Sequence, residues 1–282
     1  GLRQPADLMP AIPDQLTEPA ERAAYLVMHY WDRYDFRDTS FLMKDDLLER
    51  SFVDYADLLS LVSEDVRERS AGALMKKTED KKLFLFISKL SERYLYEPDS
   101  PVYDEEKYIP FLQHELASPL LNSAEKIRPA FLLEQTLKNR TGQAANDFTY
   151  TLINGQTGTL HAAGTDYTLL YFHDPECEDC RMMTGTLAAS PVINKLIGEN
   201  RLTVLAVYPD DGTESWKEHA PAVPDSWIYA CDAGQQIDRE GAYNIKRFPS
   251  IYLLDREKKV LLKDTSFEKL AAYFDRQTAI KR

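Results

Sequence analysis

Two cysteines with two residues between them, Cys177-Glu178-Asp179-Cys180, are the side chains of this sequence whose type and spacing could do chemistry. They follow an apolar run, Tyr167-Thr168-Leu169-Leu170-Tyr171-Phe172-His173, and a short turn, Asp174-Pro175-Glu176. The run has the length and aromatic content of a buried strand, and the cysteines then open a helix. At a helix N-terminus, unpaired N–H groups and the macrodipole favour a thiolate, which makes Cys177 the nucleophile of the pair. Cys180 lies about one turn further along the same face. There it can attack a mixed disulfide formed at Cys177 and release the reduced partner. The chemistry implied is thiol–disulfide exchange, with Cys177 attacking and Cys180 resolving.

Other uses of the pair fit less well. Half a zinc site needs two more ligands at suitable spacing, and only Cys231, His161, His173 and His219 are on offer, none forming a second pair. No metal is therefore expected, and exchange between thiols needs no bound cofactor. A structural disulfide across so short a loop would constrain the unfolded chain little. Three cysteines in 282 residues are too few for a disulfide scaffold. Cys231, at the end of an apolar run, reads as a small buried hydrophobe, with a regulatory thiol as the alternative. Trp216 and Trp227 read as packing residues.

The elements that must position the pair belong to the second of two dissimilar halves. From about Thr17 to Lys138 apolar residues recur at helical spacing, as in Val27, Tyr30, Trp31 and Tyr34, or Phe52, Tyr55, Leu58, Leu59 and Val62. Pro19, Ser63 and the segment Thr78-Glu79-Asp80 mark helix starts, and Glu97–Pro101 is a break. Two further helices are expected over about 104–116 and 123–137. This half reads as an all-α domain, residues 1–138. Past the polar segment Asn139-Arg140-Thr141-Gly142-Gln143 the pattern becomes short apolar runs separated by turns. Strands are expected at 148–153, 167–173, 202–208, 226–231, 250–254 and 259–262, with helices at 178–197, bent or interrupted at Pro191, at 237–243 and at 267–277. Strands alternating with helices argue an α/β domain over 139–282 with some parallel pairing.

Composition bounds the partners. The net charge of −12, from 34 basic and 46 acidic residues, disfavours nucleic acid and anionic membrane surfaces, which both need a basic footprint. No run approaches the roughly 18 apolar residues of a membrane span. The sequence begins at Gly1, not Met, and reads as a processed chain with any signal segment or lipid-anchor cysteine upstream.

Three motifs in order resemble the thioredoxin-like proteins of the TlpA/ResA type across about residues 142–280. The run Ala145-Asn146-Asp147-Phe148-Thr149-Tyr150-Thr151-Leu152-Ile153-Asn154-Gly155 is similar to that family's opening hairpin, and Tyr167–Cys180 to its strand leading into C-x-x-C. Tyr243-Asn244-Ile245-Lys246-Arg247-Phe248-Pro249-Ser250-Ile251-Tyr252-Leu253-Leu254-Asp255 is similar to its "Y-x-V-x-x-x-P-T-x-x-L-I-D" stretch. The resemblance implies a thioredoxin-like fold, with Pro249 as the cis-proline facing the disulfide, an isomer that costs little at X–Pro. The backbone of Phe248 is then left free to bind an extended substrate strand. The helical half resembles the region placed before such domains in Bacteroidetes envelope proteins. By resemblance, the partners are protein thiols or disulfides and an upstream electron donor, and the location is the periplasm or cell envelope.

Four positions depart from the family pattern. Glu176 stands where Trp commonly precedes the first cysteine, Met183 where some relatives bury a Glu, and Tyr171 where thioredoxins bury an Asp as proton acceptor. No proline lies between the cysteines. His173 reads as an exposed strand-end histidine, with proton acceptance as the alternative. Glu176, Glu178 and Asp179 crowd the pair against one nearby cation, Arg181. Carboxylates disfavour a thiolate, so a reductase-type character is expected. The competing expectation is a non-catalytic protein-binding module with a vestigial pair. A peroxidase is disfavoured because no Thr accompanies Pro175 upstream of Cys177.

Overall fold

The computed structural model describes residues 3–281, and the chain divides into two compact units, Gly1–Glu134 and Gln135–Arg282. The first is helical: α1 (Pro19–His29), α2 (Thr39–Met43), α3 (Leu47–Leu58), α4 (Glu64–Lys77), α5 (Lys81–Ser91), α6 (Glu105–Ala117) and α7 (Ile127–Thr136). Starts follow the capping chemistry, since the side chains of Ser63 and Asp80 accept from Val66 N and Leu83 N. The core is strongly aromatic. Trp31 lies edge-on to Tyr34 and Tyr55, with ring centroids 4.8 and 5.2 Å away. Buried phenols there find hydroxyl partners: Tyr34 on Ser51 Oγ at 2.7 Å, and Tyr55 with Ser70 Oγ at 2.6 Å.

The second unit carries a seven-stranded mixed sheet in the order β2-β1-β5-β4-β3-β6-β7. Its strands are β1 (Thr149–Leu152), β2 (Thr157–Thr159), β3 (Tyr167–Phe172), β4 (Leu202–Tyr208), β5 (Ile228–Cys231), β6 (Ser250–Asp255) and β7 (Val260–Leu262). Its helices are α8 (Glu178–Ala188), α9 (Pro191–Gly198), α10 (Thr213–Glu218) and α11 (Phe267–Ile280). Strand β3 pairs parallel with β4 and antiparallel with β6, so both its edges are bonded. A central strand covered on both faces must be apolar throughout, which explains the unbroken run that precedes the cysteines.

Alternation assigns the faces. Leu170 and Phe172 pack with Phe148, Val207, Tyr243 and Tyr252 on one side. Leu169 and Tyr171 pack with Leu187, Ile193, Leu270 and Phe274 on the other, the side covered by α8, α9 and α11. An all-helical unit followed by an α/β unit is the architecture the periodicities imply.

Pro191 interrupts the expected helix: it begins a new one, α9, whose cap is Ser190. Residues 237–243 form turns instead of a helix, because Asp232 Oδ2 accepts from Ile237 N at 2.8 Å and Gln235 and Gly241 take positive φ. The chain after Asn154-Gly155 returns as a strand, β2, antiparallel to β1.

One buried acid in the helical unit gives stability a pH dependence. Glu115 is 5% exposed, its Oε2 has no hydrogen-bond partner, and burial pushes its pKa up to about 7, with Glu92 adding to the shift. Between the unfolded value, about 4.3, and 7 the folded state alone holds this proton, so stability falls as pH rises through that window. Glu115→Gln should remove the loss and raise stability at about pH 8 by roughly 1–3 kcal/mol, read by urea unfolding at several pH values. An unchanged pH profile would contradict this assignment.

Candidate active site

Strand β3 ends at Phe172, and five residues carry the chain to α8. The turn is tied by its own side chain: Glu176 N donates to Asp174 Oδ1 at 2.9 Å and Cys177 N to Asp174 O at 3.0 Å. Cys177 is the N-cap of α8. Its extended backbone, φ −82° and ψ 121°, turns Sγ back to accept from Cys180 N at 3.2 Å. A thiol thus fills the place usually taken by Ser, Thr or Asp and satisfies one of the orphan donors of the helix start.

Cys177 is half-buried, whereas Cys180 is 2% exposed, and all three cysteines are free thiols. Burial pushes the Cys180 thiol well above its ordinary pKa. A backbone N–H of Asp174 works against this, and the neighbouring Cys177 sulfur adds to it. The turn of α8 around Cys180 is held from beneath by Tyr171, whose hydroxyl donates to Cys180 O at 2.7 Å and lies 2.9 Å from Thr184 Oγ1. Burial raises the phenol's own pKa, so Tyr171 is a neutral strut at the position where the resemblance leads one to look for a carboxylate.

The segment 243–255 reaches the same place. The Phe248–Pro249 peptide is cis, and Cys177 Sγ lies 3.9 Å from Phe248 O. Beyond it Ser250 starts β6, paired with Phe172 at the end of β3, and its hydroxyl donates to the buried Asp264 carboxylate at 3.0 Å. Cys177, Cys180, Phe248 and Pro249 are therefore brought together by two neighbouring antiparallel strands, although about 70 residues separate them in sequence.

His173 is not an exposed strand-end residue. It is 5% exposed, extends the β3 ladder by donating its N–H to Val207 O, stacks on Tyr229 at 5.5 Å and lies tilted against Tyr171 at 5.4 Å. Burial lowers its pKa to about 4, and its Nε2 has no partner. Sequence spacing also hides a cleft of about 470 Å³ bounded by His173, Asp174, Cys180, Thr184, Tyr229 and the Pro221–Pro224 segment. The visible hint was Thr184, four residues after Cys180 and so on the same helix face. Cys231 is buried beside Tyr208 and Trp216, away from the pair's own contacts, and Trp227 packs under α8 and α9. Among the described residues, no three His, Cys, Asp or Glu side chains gather where a metal ion could be held, and no helix is long and apolar enough to cross a membrane.

Known proteins are similar to this chain over nearly all or about half of its length. A thioredoxin-like protein from Bacteroides caccae, solved as a crystal structure, is 39% identical over 94% of this chain and 96% of its own, with a TM-score of 0.88. The C-terminal domain of an uncharacterized protein from Bacteroides fragilis is 40% identical over 48% of this chain and 96% of its own, with a TM-score of 0.47. The thioredoxin domain of a thiol-disulfide oxidoreductase from Bacteroides vulgatus is 24% identical over 49% of this chain and 96% of its own, with a TM-score of 0.41. The family described as a domain of unknown function (DUF5106) matches residues 6–139. No curated protein matches the chain.

The burial difference gives a chemical order. Iodoacetamide should modify Cys177 first in the native protein. Cys180 and Cys231 should react at least about tenfold more slowly until the chain is unfolded, as followed by peptide mass analysis. Labelling of either buried thiol at the rate of Cys177 would contradict the site as described.

Proposed function

We propose, from the fact that this chain belongs to the thioredoxin-like family, that it is a thiol–disulfide oxidoreductase acting on protein substrates through Cys177 and Cys180. The observation that carries the reading is the seating of Cys177. Its sulfur caps α8, accepts the Cys180 N–H at 3.2 Å and faces Phe248 O at 3.9 Å. A half-buried sulfur of this kind can be reached by a substrate disulfide while the second thiol stays shielded until a mixed disulfide forms. Exchange then proceeds in two steps. Cys177 sulfur attacks a substrate sulfur and expels its partner as a thiolate. Cys180 sulfur next attacks Cys177, the second substrate thiol leaves, and the protein holds the disulfide.

The Phe248–Pro249 segment has a second role in this reading. Phe248 O faces Cys177, and in this reading the backbone there hydrogen-bonds an extended substrate segment, as in strand-addition recognition. No cofactor is needed for either step. The resemblance to TlpA/ResA-type proteins supports a place in the periplasm or cell envelope, where an upstream electron donor restores the dithiol.

Direction follows from the buried thiol. Strong oxidants owe their potential to a reduced form stabilised as a thiolate. Here burial holds Cys180 as a thiol, and in sequence Glu176, Glu178 and Asp179 adjoin the pair beside one adjacent cation, Arg181. Reduction of substrates is therefore the favoured direction.

Trapping tests the role of each sulfur. Reduced Cys180→Ser protein mixed with a disulfide-containing peptide should accumulate a reducible covalent adduct at Cys177, and Cys177→Ser should form at least about tenfold less. An idle pair in a binding module would give no adduct with either variant, and that result would remove the oxidoreductase reading.

A further inference from the structure

Resting on that reading of the pair, we infer that the cleft beside Cys180 is a substrate subsite, which takes an aromatic side chain lying next to the reacting cysteine of the substrate polypeptide. The exchange chemistry itself selects no substrate, since any accessible disulfide offers the same sulfur. Selection needs a concave surface that a neighbouring side chain can fill. The cleft of about 470 Å³ lies at the right place for this. Pro175, two residues before Cys177, and Cys180, three after it, both line it. The half-buried sulfur is thus flanked on both sides of its chain by the cleft wall.

The cleft owes its room to small residues on one face of α8. Arg181, Thr184, Gly185 and Ala188 line it, and they recur at i, i+3, i+4 and i+7, so a single stripe of the helix faces the space. Gly185 stands in the middle of that stripe. Glycine in a helix interior is destabilising relative to alanine, and its presence asks for a reason. Backbone conformation does not supply one, because Gly185 is not among the positive-φ glycines. Close packing does not either. Apart from its chain neighbours and its own helix backbone, a Cβ built on Gly185 meets nothing within 4 Å. What the missing side chain preserves is the open space of the cleft.

The remaining walls are apolar and stiff. Pro221, Val223 and Pro224 face α8 across the cleft, two of them with φ fixed by the proline ring. Their backbone is tied in place, Val223 N donating to Ala220 O at 3.1 Å and Trp227 N to Pro224 O at 3.0 Å. On the sheet side, Tyr229 stacks on His173 at 5.5 Å and on Trp216 at 5.4 Å, and its hydroxyl donates to Trp216 O at 2.6 Å. Proline and aromatic surfaces already held rigid suit a planar apolar ring, which has few rotamers to lose. A charged occupant is not favoured. The fixed charges on the lining, Asp174 and Arg181, are opposite in sign, and His219 Nδ1 is hydrogen-bonded to Ser215 O at 2.8 Å.

Peptide disulfides test the subsite. The peptides are identical except for Phe, Ala, Lys or Glu beside one cysteine, placed before it in one set and after it in another. Fully reduced protein is mixed with each, loss of the peptide disulfide is timed by acid quench, and every rate is divided by that with dithiothreitol to remove the peptide's own reactivity. Burial of a large apolar side chain is worth at least about tenfold, so in one of the sets the Phe peptide should react at least about tenfold faster than the other three. Gly185→Leu favours the helix and fills the cleft. It should bring the Phe peptide down to the Ala rate, while the Ala rate and the iodoacetamide labelling of Cys177 stay within about twofold of wild type.

Phe and Ala rates within about twofold of each other in both sets would overturn the inference. So would a Lys or Glu peptide that matches the Phe peptide, or a Phe preference that survives in Gly185→Leu. Equal slowing of all peptides by that variant would overturn it too, since a disturbed pair and not a filled subsite gives that pattern. In each of these cases reduction of the peptides by wild type would leave the oxidoreductase reading intact. If wild type reduced none of the peptides, both would fall.

Discussion

The first turn of α8 is anchored to the sheet by the Tyr171 hydroxyl, which reaches from central strand β3 to Cys180 O and Thr184 Oγ1. Most of the site depends on this tie. It fixes the height and rotation of the helix over the strand, and with them the burial of Cys180 and the exposure of Cys177 at the cap. A buried hydroxyl left without partners costs about 1–3 kcal/mol, so the anchor is also a constraint on the helix: any rotation that exposes Cys180 strands the phenol. The aromatic column that continues through His173, Tyr229 and Trp216 makes the strand side of the site a rigid wall.

Upon this wall the two cysteines acquire different characters from one geometry. Cys177 spends its sulfur on capping a helix, an interaction that survives as a thiol or a thiolate. Cys180, one turn on, is withdrawn into the protein and made hard to ionise. The proposed exchange asks for this difference between an attacking and a resolving sulfur. The antiparallel pairing of β3 with β6 then delivers Phe248 and Pro249 to the same end of the sheet, so the strand that supports the helix also places the backbone facing the sulfur.

Much of this was legible in the residues. The unbroken run Tyr167–Phe172 announces a strand buried on both faces, and Cys-x-x-C after a turn announces a helix start with both sulfurs on one face. The two-part architecture shows in the change from helical spacing to short apolar runs near residue 140. What could not be read is what depends on neighbours distant in sequence. His173 looks like an exposed strand end until Val207 and Tyr229 close over it. Residues 237–243 carry a helical pattern, but Asp232 captures Ile237 N and diverts the backbone into turns. The Pro221–Pro224 segment gives no sign in sequence that it bounds a cleft with Cys180.

The central claim is that Cys177 and Cys180 interconvert as a two-electron couple. Equilibration across a graded series of thiol–disulfide buffers, with free thiols trapped for mass analysis and Cys177→Ser as control, tests it most directly. The account predicts one reversible transition confined to these two cysteines, with a midpoint toward the reducing end of the known range, about −270 to −200 mV. A midpoint above about −150 mV would contradict the reductase direction, and no Cys177–Cys180 disulfide at any poise would contradict the claim itself.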